Sequence, residues 1–265
     1  MPAMSYYRPA SVAEAAKLAA SDPEARVLAG GQSVLPSMKL GLLAPSAFID
    51  LTGIGELQGI RADGETLTIG AMTTHASVAD SREVRARIRA LAQLAAGIGD
   101  GQVRNRGTIG GSLANSDPAA DYPAAVLGLG ASIRTNQRAI AADGFFKGLF
   151  ATELKPGELI TAVEFPIPDK AGYEKFRQPA SRFALVGVFV AQLGKAVRVA
   201  VTGAAACAFR AKSLEEALTQ RFAPEACDGI RVSAATLNND IHGSAEYRAH
   251  LIPVLARRAV QKALG

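Results

Sequence analysis

The chain has 265 residues, 49% of them apolar and 20% charged, with 29 basic against 24 acidic side chains. That balance excludes a disordered chain, and 26 glycines without a fixed period exclude a collagen-like or low-complexity one. A net charge of +5 is a weak nucleic-acid signal, because its densest run, Arg82 to Arg89, has the form of a solvated helix face.

Two cysteines, Cys207 and Cys227, cannot ligate a four-cysteine iron-sulfur cluster or a zinc ribbon. The first residues lack a secretory apolar core, and no apolar run approaches the ~18 residues of a membrane span. A cytoplasmic protein with reduced thiols and no transmembrane segment is expected.

Helix and strand signals alternate along the chain. Ser11 and Glu14 have capping-box spacing, with Val12, Ala15, Ala16 and Leu18 forming a stripe that ends at Asp22-Pro23. Arg26 to Ala29 and Ala47 to Leu51 read as strands, and so does Thr66 to Gly70. Ser81 to Ala96 reads as one helix through Val84, Ile88, Leu91 and Leu94. Asp117-Pro118 looks like an N-cap with proline at the first helical position, leading into Ala119 to Leu129 and placing Asp121 toward the preceding loop. A strand follows near Ala131, and another from Leu159 to Phe165. Pro166, Pro168, Asp169, Lys170 and Gly172 look like a linker. Beyond it, Phe183 to Leu193 and Val197 to Val201 form a hairpin about Gly194-Lys195, Ser213 and Glu216 make a second candidate capping box, and Ser244 to Leu264 is a helix that Pro253 should kink or split. The pattern points to an α+β fold.

The dinucleotide Gly-x-Gly-x-x-Gly and triphosphate Gly-x-x-x-x-Gly-Lys-Ser/Thr spacings are absent. Two other glycine loops stand out: Ala29-Gly30-Gly31-Gln32-Ser33-Val34-Leu35 and Thr108-Ile109-Gly110-Gly111-Ser112-Leu113-Ala114-Asn115. Either alone reads more readily as a tight turn at a sheet edge than as a site. Together, with their hydroxyl and amide side chains, they favour one shared ligand containing a diphosphate, approached by backbone N–H groups. The three histidines, His75, His242 and His250, are dispersed and read as surface or packing residues. No catalytic residue and no metal ligand is expected.

At these loops the sequence resembles the FAD-binding medium subunits of molybdenum hydroxylases, the group that includes carbon monoxide dehydrogenase and the flavin portion of xanthine dehydrogenase. The likeness rests on Ala29 to Leu40, on Val103-Arg104-Asn105-Arg106-Gly107-Thr108-Ile109-Gly110-Gly111 and on Asp117 to Ala124. It continues through Gly148 to Phe150, Gly157 to Val163, Tyr173 to Lys175 and Ser244 to Leu251. The resemblance implies a two-subdomain FAD-binding fold of the PCMH type over residues 1–170, divided at about 55, and a carboxy-terminal α+β domain over 173–265. It carries diphosphate binding onto Ala29, Gly30, Gly31, Gln32, Ser33, Val34 and Leu35, and onto Thr108, Gly110, Gly111, Ser112 and Asn115. Asp121 is implied to meet the ribityl or ribose hydroxyls, and Ile160 and Lys175 the adenine or isoalloxazine region.

The carbon monoxide dehydrogenase branch usually has His at the position of Gln32, and many members have Asn at that of Ser112. Both replacements keep a hydrogen-bonding side chain. The benzoyl-CoA-reducing branch, with its added cysteines, is excluded. The function implied is that of an electron-transfer subunit in a heterohexamer. It would take electrons from a small iron-sulfur subunit beside a large molybdopterin-binding subunit and pass them to an external acceptor. A self-sufficient flavin oxidoreductase and a non-catalytic scaffold are the alternatives.

Overall fold

The computed structural model describes residues 4–265. The first unit comprises β1 (Ser5–Tyr7), α1 (Val12–Ser21), β2 (Arg26–Leu28), α2 (Val34–Lys39) and β3 (Ala47–Asp50), with β3 central in a parallel sheet of order β1-β3-β2. Ser11 accepts the Glu14 amide, and the Glu14 carboxylate accepts that of Ala10, so the cap of α1 is closed from both sides. Ala15 on α1 packs with Ile49, Leu51, Ile54 and Leu57 in a small core. Because the strands run the same way, their carboxyl ends at Tyr7, Leu28 and Asp50 lie along one edge, where parallel sheets offer loops to ligands.

The second unit begins with β4 (Ile60–Asp63) and β5 (Thr66–Gly70). Six helices follow: α3 (His75–Asp80), α4 (Arg82–Arg87), α5 (Arg89–Ala96), α6 (Gly101–Arg106), α7 (Ile109–Asn115) and α8 (Tyr122–Leu129). It closes with β6 (Ser132–Thr135), β7 (Ala139–Ala141), β8 (Phe146–Gly148), β9 (Ala151–Thr152) and β10 (Ile160–Pro166). The antiparallel sheet has the order β4-β5-β10-β6-β7, and β8 and β9 pair separately. The single helix expected from Ser81 to Ala96 is two. Ile88 leaves helical geometry at φ −139° and ψ 71°, yet Val84, Ile88, Leu91 and Leu94 are all buried, so core packing outweighs an unbroken ladder.

The expected helix from Ala119 also starts later, at Tyr122, with Asp121 rather than Asp117 in the N-cap position. The cause lies far along the chain. Carbonyls that a first helical turn would use are engaged by the third unit: Pro118 accepts the Gly203 amide and the Thr202 hydroxyl, Ala119 the Ala184 amide, and Ala120 the Thr202 hydroxyl. Asp117 instead accepts the Ala119 amide in a local turn.

The third unit is an antiparallel sheet of β11 (Lys170–Arg177), β12 (Ala184–Leu193), β13 (Ala196–Thr202) and β14 (Phe209–Arg210), covered by α9 (Lys212–Gln220) and α10 (Ala245–Leu264). The expected linker is shorter than its composition suggests. Lys170 and Gly172 already belong to β11, and Asp169 is pinned to the hairpin turn through Gln192 and Gly194. Gly172 permits close approach, since a Cβ there would strike the Ala259 carbonyl of α10. Pro253 does not split α10, because the buried face through Leu251, Ile252, Leu255 and Ala256 seats the helix on the sheet. Nor does Ser213 cap α9, which starts at Lys212, within whose first turn Ser213 lies.

α8 joins the second and third units. All its residues are buried, and Gly128 lies so close to Phe189 of β12 that a Cβ would sit 2.8 Å from the ring.

Candidate functional site

The first glycine loop leaves β2 at the carboxyl edge of the parallel sheet. Gly31 turns the chain at φ 75°, a left-handed conformation that glycine adopts without penalty. The amides of Gly30, Gly31, Gln32, Ser33 and Val34 donate to no backbone or side-chain acceptor among the described residues; regular bonding resumes with Leu35 to the Gly31 carbonyl. The Ser33 hydroxyl makes no cap bond to α2 either. Gln32 and Ser33 are exposed, as is Leu35, while Ala29 and Val34 are half-buried. Successive unpartnered N–H groups about a glycine in the left-handed region form a concavity suited to an anion.

The second loop differs. Its amides are engaged inside the protein: Ile109 donates to Thr73, Gly110 to Ala71 at 2.8 Å, Gly111 to the Thr108 hydroxyl and Ser112 to the Thr108 carbonyl. Thr108 and Gly110 therefore stand behind the surface, both buried. A Cβ on Gly110 would lie 2.6 Å from Cβ of Ala71, so this glycine serves packing. What the loop offers outward is the Gly111 backbone and the half-buried side chains of Ser112 and Asn115, three apart on α7 and without a hydrogen bond among the described residues.

The loops meet. A Cβ built on Gly111 would lie 3.3 Å from Cβ of Ala29, and one on Gly30 would collide with the Arg106 carbonyl, one residue before Gly107. The second loop is seated from below by His75, whose amide donates to the Gly107 carbonyl and whose imidazole lies against Gly107. Burial, with Arg104 nearby, holds His75 down to about 4, so it is neutral at physiological pH. Its Nδ1 and the hydroxyl of neighbouring Tyr122 are buried without partners.

Asp121 and Lys175 meet each other. The ammonium of Lys175 on β11 lies 2.8 Å from Oδ1 of Asp121, and the Tyr173 hydroxyl donates to the same carboxylate. Burial pushes the Asp121 carboxyl upward, opposed by Lys175 and the Tyr173 hydrogen bond. The implied contact of Asp121 with a sugar hydroxyl therefore meets a carboxylate already engaged across two units. Ile160 opens β10 with its side chain in the second core, and the adjacent Thr161 carbonyl accepts the Ala71 amide behind Gly110. Thr202 lies in no local motif, and the roles of Tyr173 and His75 come from residues distant in the chain, Asp121 and Gly107.

Unpartnered amides facing a glycine surface, with free hydroxyl and carboxamide side chains, fit a diphosphate-bearing cofactor. No cluster of metal-binding side chains occurs among the described residues.

This arrangement defines a class. Residues 2–168 match the FAD-binding domain in molybdopterin dehydrogenase, and residues 171–263 match the CO dehydrogenase flavoprotein C-terminal domain. The chain belongs to this family of FAD-binding medium subunits. It is 35% identical to the nicotine 6-hydroxylase medium subunit of Paenarthrobacter nicotinovorans, over 99% of this chain and 98% of that one. Its structure matches a chain of carbon monoxide dehydrogenase from Hydrogenophaga pseudoflava with a TM-score of 0.89 and 36% identity, covering 99% and 98% of the two chains. A chain of quinoline 2-oxidoreductase from Pseudomonas putida 86 matches with a TM-score of 0.86 and 33% identity, covering 99% and 97%.

Proposed function

We propose that this chain is the FAD-holding electron-transfer subunit of a cytoplasmic molybdenum hydroxylase complex. It stands between a small iron-sulfur subunit, beside a large molybdopterin-binding subunit, and an external electron acceptor. Residues 1–170 form the FAD-binding part and 173–265 its carboxy-terminal domain. The observation that carries this reading is the run of unpartnered amides from Gly30 to Val34, closed on one side by Gly111. Bound FAD supplies the redox chemistry. The protein's task is placement: the Gly30 to Val34 amides and the Ser33 hydroxyl take the diphosphate, and Ser112 and Asn115 donate from the facing helix. Thr108 caps that helix and the amides of Ile109 and Gly110 hold it against Thr73 and Ala71, while Asp121 and Lys175 fix the third unit beside it.

The buried carboxylates are engaged structurally: Asp50 with Tyr6 and Thr52, Asp121 with Lys175, Glu158 with Arg138 and Glu215 with Arg210. None is left as an acid or base for an organic substrate, which favours the subunit over a self-sufficient oxidoreductase. The test is the absorption spectrum of the purified full chain and release of FAD on denaturation, followed by co-purification from native cells. Stoichiometric FAD and recovery of an iron-sulfur and a molybdopterin subunit are expected. A chain that stays colourless in excess FAD overturns the reading.

A further inference from the structure

Resting on that reading, we infer that Arg106 is a cationic wall of the cofactor site that selects for the anionic part of the ligand. The placement comes from the backbone. The Arg106 carbonyl abuts Gly30 closely enough to exclude a Cβ, so its side chain springs from a point within arginine's reach of the free amides of Gly30 to Val34. Arg104, two residues earlier, is tied to the carbonyls of Ile98 and Gly99. Arg106 has no such tie: it is exposed and makes no ion pair or side-chain hydrogen bond among the described residues.

The surrounding charges leave Arg106 available. Asp50, the carboxylate at the end of β3 on this edge, is already satisfied by the Tyr6 hydroxyl, by the amide and hydroxyl of Thr52, and by Arg8 at 3.7 Å. An unpaired guanidinium beside a row of unpartnered amides is matched by a diphosphate, whose oxygens accept charge-assisted, bidentate bonds from arginine. The amides recognise the shape of the anion, and Arg106 supplies the charge that distinguishes it from a neutral ligand.

The experiment is titration of the flavin-free full chain with FAD at low and high salt, with ADP as competitor. It compares wild type with Arg106→Gln, Arg106→Lys and, as a control remote from the loops, Arg82→Gln. Arg106→Gln should weaken FAD and ADP alike by roughly tenfold at low salt, as expected for loss of one charge-assisted bond, and should flatten the salt dependence. Arg106→Lys should recover part of the loss, and Arg82→Gln should match wild type, with melting temperatures unchanged throughout. If wild type binds FAD while Arg106→Gln shows the same affinity and salt dependence, the inference fails and the FAD reading stands. If wild type takes up no FAD, both fail.

Discussion

The two glycine loops are written alike and built for opposite purposes. In the first, a left-handed Gly31 leaves the amides from Gly30 to Val34 without partners among the described residues, and Gln32, Ser33 and Leu35 are exposed. In the second, the amides from Ile109 to Ser112 are bonded inward, and Gly107 and Gly110 exist because His75 and Ala71 leave no room for a side chain. One loop leaves its backbone hydrogen-bonding capacity unused among the described residues; the other uses its capacity to hold a helix in place. Paired glycines with polar neighbours thus mark a close approach of backbone without saying whether a ligand or the protein itself makes it.

The largest effect that would break this contrast is expected at Gly110→Val. The new Cβ would lie 2.6 Å from Cβ of Ala71 and 2.8 Å from its carbonyl oxygen, which also accepts the Gly110 amide. Backbone cannot swing aside as a side chain can, so the cost should exceed ordinary overpacking, roughly 4 kcal/mol of stability read by denaturant unfolding. A variant as stable as wild type would show that the second loop is as open as the first.

Next in size is a pH effect confined to the second loop. His75, ordinarily near 6.5, is held to about 4 in the fold by burial first and Arg104 second. Between those values the unfolded chain binds a proton that the folded chain refuses, so stability is fully present above pH 6.5 and falls as pH drops toward 4. The loss should be on the order of 2–3 kcal/mol. His75→Gln should remove the pH dependence in that window. An unchanged slope in the variant would place the titration elsewhere.

Gly31→Val should do the reverse of Gly110→Val. The collision it creates is with the flexible end of Leu35, at 2.9 Å, and its left-handed φ costs only about 1–2 kcal/mol. The fold should survive while FAD uptake is lost, measured by titration on a chain shown to be folded by circular dichroism. Wild-type FAD affinity in this variant would make the first loop a turn and nothing more.

How much of this was legible depends on whether the cause was local. Ser11 and Glu14, four residues of capping chemistry, announced α1 correctly, and alternation gave Thr66 to Gly70 and the hairpin about Gly194. Asp117-Pro118 points to the wrong start for α8, since the carbonyls from Pro118 to Ala120 are claimed by Thr202, Gly203 and Ala184, more than sixty residues away. The same limit applies to the site. Both loops could be picked out from their glycines and short polar side chains, whereas their division of labour could not, because it is decided by Ala71, Thr73 and His75 from a different stretch. The family resemblance points to Asp121 and Lys175 as separate contacts, and their union is visible only once β11 brings Lys175 to Asp121 at the start of α8.

The smallest effect, and the most sensitive probe of how the second loop is seated, concerns Tyr122. Its hydroxyl is fully buried beside His75 and has no hydrogen-bond partner among the described residues, and the Nδ1 of His75 is likewise unpartnered among them. A buried hydroxyl without a partner carries its desolvation cost of about 1–3 kcal/mol with no compensating bond. Tyr122→Phe keeps the ring, and hence the packing against His75, while discarding that oxygen. The variant should be as stable as wild type or more stable by up to about 1 kcal/mol, and FAD affinity should not change, because the ring rather than the hydroxyl supports the loop. A loss of about 1 kcal/mol or more on removing the hydroxyl would mean that it bonds to an ordered water shared with His75 Nδ1, and the loop would then rest on a polar bridge. The double variant Tyr122→Phe/His75→Gln separates the cases: additive changes leave the two groups independent, and a smaller combined loss identifies the bridge.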